Sequence, residues 1–324
     1  MTAIATAEQL RHVVEAAGLA PSVHNTQPWR FVAGPGRLEL HADPRRQLKY
    51  LDADSRQLHL SCGAALLHAR VAARALGLHV KTRLLPDPAR PVHLADLVLT
   101  QGEPPSDDDV RLATAILRRH THRGPFDDAD IPAALLDLLC TTAAAEGARL
   151  HQVVDPDELI EVAVLLSKAD AVEQHNEHYR HELEKWVRAG GSRHDGVPTS
   201  TLVEASGSSL RQRDFTLTHP AAVDGSLPRP DHPAVVVLST EDDEPVSWLR
   251  AGQALAAMLL RAADYGVQAQ PLGQVTDILA HRLALKGVLG ILGVPQLVLR
   301  MGYAGKTPVS GRRSVEDVMV SVTD

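Results

Sequence analysis

The stretch that most limits what this chain can become is Ala20-Pro21-Ser22-Val23-His24-Asn25-Thr26-Gln27-Pro28-Trp29-Arg30-Phe31. It follows an amphipathic run, Ala7 to Leu19, whose pattern predicts the first helix, with Gly18 as a stop signal. Pro28 removes a backbone donor and favours an extended Gln27, so the helix cannot run on. What remains is a polar loop at a helix end, rich in amides and hydroxyls that both donate and accept. Such a loop suits a planar heterocycle or a phosphate. Its residues alone also allow a plain helix-terminating loop with Trp29 as a core plug.

Strands are expected at 30–32 and 37–41, around the turn Gly34-Pro35-Gly36. From Ser55 to Leu76, the residues Leu60, Ala64, Leu67, Val71 and Ala75 recur at helical spacing. Aromatics make up only 3% of the chain, so the Ala and Leu of such helices must supply most of the core. Further strands are expected at 79–85 and 93–99. Residues 103–109, with Pro104, Pro105 and consecutive aspartates, read as a polar joint between a unit 1–108 and a unit 109–324.

Acidic residues open the next helix, Asp109 to Leu117, on the favourable side of its dipole. It runs into Arg118-Arg119-His120-Thr121-His122-Arg123-Gly124-Pro125-Phe126. Arginine forks bind phosphate bidentately and keep their charge when partly buried; a solvated charged face is the alternative. A helix at 133–144 and a strand at 149–155 repeat the helix–loop–strand plan of the chain's start. One long helical pattern spans 157–187. Residues from about 188 to 231 are rich in Gly, Ser, Pro and Thr without a period, which suggests a lid or binding loop, or else a surface excursion. Tyr179, Trp186 and Phe215 flank or occupy it and could cover an aromatic ligand. The apolar run 233–238 suits a buried strand. In the Ala/Leu helix from Trp248 to Tyr265, Gly252 and Ala256 permit close approach of another backbone.

A net charge of −7 argues against a general nucleic-acid binder. No apolar run approaches the length of a membrane span, and the N-terminus lacks a basic, then apolar, leader; a cytoplasmic protein is the expectation. Cys62 and Cys140 read as free thiols. His175, His178, His181 and His194 have no recognisable ligand motif around them, so no metal is expected.

Pro-Ser-x-x-Asn-x-Gln-Pro-Trp at residues 21–29 resembles the flavin-contacting loop of the nitroreductase family of FMN-dependent oxidoreductases. The preceding His24 and the chain length resemble its actinobacterial Acg-like branch. The run Arg119-His120-Thr121-x-Arg123 is similar to the family's motif for the FMN phosphate and ribityl chain, although Gly124 and Pro125 add a residue before Phe126. Pro271-Leu272-Gly273 matches the turn against the flavin ring, and Arg312 and Arg313 match late basic residues at the phosphate. The resemblance thus implies FMN as cofactor, with Ser22, His24, Asn25, Gln27, Arg119, His120, Thr121, Arg123, Pro271, Leu272, Gly273, Arg312 and Arg313 as its ligands. The flavin would carry the chemistry, with no catalytic side chain.

The family places the basic motif before the Pro-Ser-Asn loop; here the order is reversed. The expected fold is therefore α+β, built of two fused nitroreductase-type units that form a pseudo-dimer within one chain, with one flavin site where they meet. One chain would equal the family's dimer, as a monomer or in a further homodimer. The implied activity is electron transfer from NAD(P)H or another small-molecule donor to a nitroaromatic, quinone or related acceptor. The alternative is a non-catalytic, FMN-sequestering or stress-related protein with a lid-closed site.

Overall fold

The computed structural model describes residues 3–188, 194–202, 210, 212–215, 231–305 and 307–321. The first half opens with α1 (Ala7–Gly18), started by a capping box in which Thr6 and Gln9 satisfy each other's backbone N–H groups. Strands β1 (Trp29–Gly34) and β2 (Arg37–Ala42), helix α2 (Arg56–Ala75), and strands β3 (Leu78–Leu84) and β4 (His93–Gln101) follow. After α3 (Asp107–Arg118) come α4 (Ala133–Ala145) and β5 (Arg149–Val153). Next lie α5 (Pro156–His175), α6 (Glu177–Glu184), and the short strands β6 (Val187–Arg188) and β7 (Val197–Pro198). The chain then forms β8 (Ala234–Thr240), α7 (Pro245–Asp264), β9 (Val267–Leu272), α8 (Gln274–Asp277), α9 (Leu279–Val288) and β10 (Val294–Tyr303). It ends with α10 (Val315–Val318) and β11 (Met319–Ser321).

Two antiparallel sheets repeat one plan. The first runs β1-β2-β4-β3 and the second β5-β8-β10-β9, each with its long helix between the second and third strands in sequence. Helices α2 and α7 are both 20 residues long. Each is followed, after one residue, by a glycine of positive φ, Gly77 (+68°) and Gly266 (+78°), which turns the chain into the next strand. The repeat is not symmetric at its edges. Strand β11 crosses back from the C-terminus to lie parallel to β1, pairing Phe31 with Met319.

The helices α2 and α7 form the centre of the molecule. A Cβ on Gly252 would lie 2.0 Å from the carbonyl oxygen of Leu60, and one on Gly63 2.2 Å from that of Leu249. Only glycine at both positions lets these backbones approach so closely. Around this crossing, one core gathers α1, α2 and the first sheet, including fully buried Trp29 and Phe31; a second gathers α4, α7 and the second sheet.

The pattern at 157–187 is not a single helix. Asn176 (φ −92°, ψ 107°) ends α5 and caps α6, its side chain accepting from the backbone N–H of Tyr179. An asparagine side chain satisfies a helix start better than it continues a helix. The break lets Tyr179 and Leu183 pack on Leu48 and Leu51 of the first half. Most of the segment expected to be a lid lies outside the described residues. Among the described residues no helix is long and apolar enough to cross a membrane, and Cys62 and Cys140 are free.

Candidate functional site

A cleft with about 810 Å³ of space not filled by protein atoms, part of it open to solvent, lies where the halves meet. From the first half it takes Pro21 to His24 together with Gln57, Leu60 and Ser61 of α2. The second half supplies Thr121, Arg123, Leu255, Gln270, Pro271, Gly273 and Leu297, and Arg213 and Phe215 close one side.

The first loop is held in a conformation side chains seldom accept: His24, Asn25 and Gln27 have φ of +45°, +54° and +49°. The extended backbone expected for Gln27 is therefore not what forms. Tertiary hydrogen bonds outweigh the local preference, because such strain persists only where the surroundings over-determine it. Ser22 Oγ accepts from the backbone N–H of Gln27 at 2.9 Å, and Ser61 Oγ from that of Val23 at 3.2 Å. Asn25 Nδ2 donates to the carbonyls of Gly196 and Gly311, at 3.0 and 3.1 Å. Fully buried Gln27 donates to the carbonyl of His194 at 2.8 Å and accepts from the backbone N–H of Arg313. Ser22 and His24 thus face the cleft, while Asn25 and Gln27 tie its loop to later parts of the chain.

The basic run docks on β9 by a bridge from Thr121 to Ala269 and by a bond from His122 N–H to the Ala269 carbonyl at 3.1 Å. Thr121 and Arg123 therefore line the cleft beside Pro271 and Gly273, while Leu272 points into the core. Arg119 is 4% exposed and bonds only weakly to the carbonyl of Leu19, at 3.3 Å. Arg312 donates to the carbonyls of Ser310 and Gly311. Neither guanidinium meets a carboxylate among the described residues, and both Nε atoms are buried without a hydrogen-bond partner. Burial, with the charge of Arg312 adding to it, pulls Arg119 down to about 9; burial alone pulls Arg312 and Arg123 to about 10. All three stay charged at neutral pH. Burial and the same two cations also lower His120. Arg313, by contrast, donates to the carbonyls of Gln27 and Asp317 and braces the C-terminal turn.

Arg213 closes the cleft from the other side. It pairs with Glu173 and with Asp277, both at 2.7 Å, and its Nη1 donates to Nε2 of His24 at 3.0 Å. His24 must be neutral to accept that bond, and its pKa lies well below the usual value through burial, then through Arg213 and Arg123. Phe215 stands edge-on to the His24 ring, 5.4 Å away, while Arg123 lies 5.5 Å over the Phe215 ring. Tyr179 packs into the core below and Trp186 under Arg46, so of the three aromatics only Phe215 covers the cleft.

Sequence reasoning missed Gln57, Ser61, Gln270, Arg213, Glu173 and Asp277. Gln57 and Ser61 left a weak signal, a polar pair four residues apart on a helix that also carries Arg56, His59, His68, Arg70 and Arg74. Arg213 left none, because its partners are distant in sequence.

The nitroreductase family profile matches residues 2–49 and 116–303. A Mycobacterium tuberculosis H37Rv protein provisionally named an NAD(P)H nitroreductase is 37% identical over 324 residues, 97% of this chain and 91% of that one. The acg protein of the same strain, provisionally named likewise, is 32% identical over 323 residues, 97% and 96% of the two chains. The crystal structure of a nitroreductase with bound FMN from Desulfitobacterium hafniense aligns at a TM-score of 0.42 and 13% identity, covering 66% of this chain and 98% of that one. With the profile spanning most of the chain and full-length relatives above 30% identity, this α+β chain belongs to the nitroreductase family.

Proposed function

We propose that the cleft binds FMN and that the chain is a flavin oxidoreductase, passing electrons from NAD(P)H or another small donor to a nitroaromatic, quinone or related acceptor. One observation carries the binding half of this reading: Arg119 and Arg312, buried side by side, have orphaned N–H groups and no carboxylate among the described residues. Buried cations without a counter-ion cost stability unless a ligand supplies the charge, and a phosphate dianion fits that need. Neither guanidinium lines the cleft itself; Arg119 lies two residues before Thr121 and bonds to the Leu19 carbonyl two residues before Pro21, and Thr121 and Pro21 do line it.

When bound, the isoalloxazine supplies the electron transfer, and the protein binds, orients and shields it. Arg119 and Arg312 would hold the phosphate, with His120 beside them and Arg123 on the cleft wall. Ser22 and Thr121 present hydroxyls, and Gln57 and Gln270 amides, to the polar edges of a ring, while Leu60, Leu255 and Leu297 form an apolar wall that excludes water. No side chain is needed as acid or base. One chain provides both halves of the site, which supports a fused pseudo-dimer with 1–108 and 109–324 as its units.

A second reading rests on Arg213. Anchored to Glu173 and Asp277, with Phe215 beside it in the cleft lining, it would narrow access for a second ligand, as a sequestering protein would require. Anaerobic visible spectroscopy with NADPH and then NADH separates the two. Bleaching of the flavin band supports the oxidoreductase. A band that persists but yields to dithionite supports sequestration, and no flavin even after incubation with FMN overturns both.

A further inference from the structure

The outer face of the first sheet gathers two imidazoles and two carboxylates. Strands β2 and β4 pair His41 with His93 and Glu39 with Asp96. Three residues apart on a regular strand, His93 and Asp96 would point to opposite faces. A register shift between Leu40 and His41 inserts one extra residue on β4, and this bulge brings both to one face.

One donor atom each from Glu39, His41 and His93 lies within 4.8 Å of the others. His41 Nε2 is 2.9 Å from Glu39 Oε2, His93 Nε2 is 3.8 Å from the same oxygen, and His93 Nε2 is 2.9 Å from Asp96 Oδ1. The imidazoles stack at 4.6 Å and 11°. His93 is 1% exposed; its Nδ1 meets no partner, so its only polar engagement among the described residues is through Nε2, toward the carboxylates.

We propose that Glu39, His41 and His93, with Asp96 as fourth donor, bind a divalent transition-metal ion such as Zn²⁺. Zinc takes His nitrogens and carboxylate oxygens at about 2.0–2.2 Å in a tetrahedron; the Glu39, His41 and His93 donors, within 4.8 Å of one another, and Asp96, 2.9 Å from His93, must draw together by side-chain rotation to share one ion. The mixed N and O set favours Zn²⁺, Co²⁺, Ni²⁺ or Cu²⁺ over Mg²⁺ or Ca²⁺, which prefer oxygen alone. Two carboxylates balance the ion's charge. Arg37 holds these carboxylates instead, at 3.0 Å from Glu39 and 2.8 Å from Asp96. Its side chain is 45% exposed and can turn into solvent, so the ion and Arg37 compete for the site. None of the four donors lines the cleft, and the site stands or falls apart from flavin binding.

The test is calorimetric titration of the full-length, EDTA-treated protein with Zn²⁺, and with Co²⁺ for its visible bands. One ion per chain is expected, with affinity reduced about tenfold or more in His41→Asn and in Glu39→Gln, and raised in Arg37→Ala. His41 and Glu39 are partly exposed, and unchanged thermal unfolding of the metal-free variants shows that they fold. Should a variant not fold, the Arg37→Ala comparison decides alone: unchanged or weaker binding there overturns the site. Absence of saturable one-to-one binding, or an affinity indifferent to His41→Asn and Glu39→Gln, also overturns it.

Discussion

Gly63 and Gly252 face each other across the crossing of α2 and α7: a Cβ on Gly252 would stand 2.9 Å from the Cα of Gly63, and one on Gly63 3.1 Å from that of Gly252. The relationship is reciprocal, since each also opposes the carbonyl of the leucine three residues before the other, Leu60 and Leu249. Such mutual contact is what a two-fold axis between equivalent helices produces. The cleft lies beside this crossing, with Leu60 and Leu255 in its wall.

Gly252→Ala should therefore force the helices apart. Overpacking costs about 1–3 kcal/mol, and the clash is with rigid backbone, so chemical denaturation should place the loss at the upper end of that range. Gly18→Ala, on α1 with nothing within 4 Å of its Cβ, is the control. It should leave stability unchanged or raise it by about 0.5–1 kcal/mol.

Arg119→Met should have opposite effects on the two forms of the protein. It removes a buried cation without a counter-ion, so the flavin-free protein should melt higher. It also removes charge-assisted bonds worth about 1.5–3 kcal/mol each, so FMN should bind roughly ten- to a hundredfold more weakly in fluorescence titration. Unchanged affinity would refute the phosphate assignment.

Asn25→Ala should act through the loop. Two side-chain bonds to Gly196 and Gly311 are lost, and alanine must hold a φ of +54°. A stability loss of about 2 kcal/mol is expected from the bonds and the strain together, with weaker FMN retention following from a loosened loop. Asn25→Gly relieves the strain alone and should recover part of the loss.

His68 predicts an acid limit for the flavin-free protein. Burial first, then Arg119, holds its pKa at about 3 against an ordinary 6.5. Between these values the unfolded chain binds about one more proton than the folded one. Stability from this group is thus complete above pH 6.5 and declines as pH falls towards 3, by about 1.4 kcal/mol per unit. In His68→Gln the slope of stability against pH should be shallower by about one proton; an unaltered slope would assign the pH dependence elsewhere.

The sequence by itself determined the local grammar. Gly18 and Pro21 ended α1, Ala and Leu spacing set α2 and α7, the glycine turn joined β1 to β2, and the motifs at 21–29 and 119–123 placed the chain in its family. It also marked Gly252 as a point of close approach, because a glycine within an Ala/Leu helix has few other uses.

Only the tertiary structure decided what depends on partners far along the chain. It paired Gly252 with Gly63, carried β11 back to the first sheet, and set Arg119 beside Arg312. Gln27 was forced to a positive φ that local preference opposes, because buried bonds to His194 and Arg313 outweigh that preference. Asn25 and Gln27 became ties between segments, and Arg213 became the cover of the cleft. Hydrogen bonds and charges of this kind act through space and are fixed by packing, so no sequence period records them.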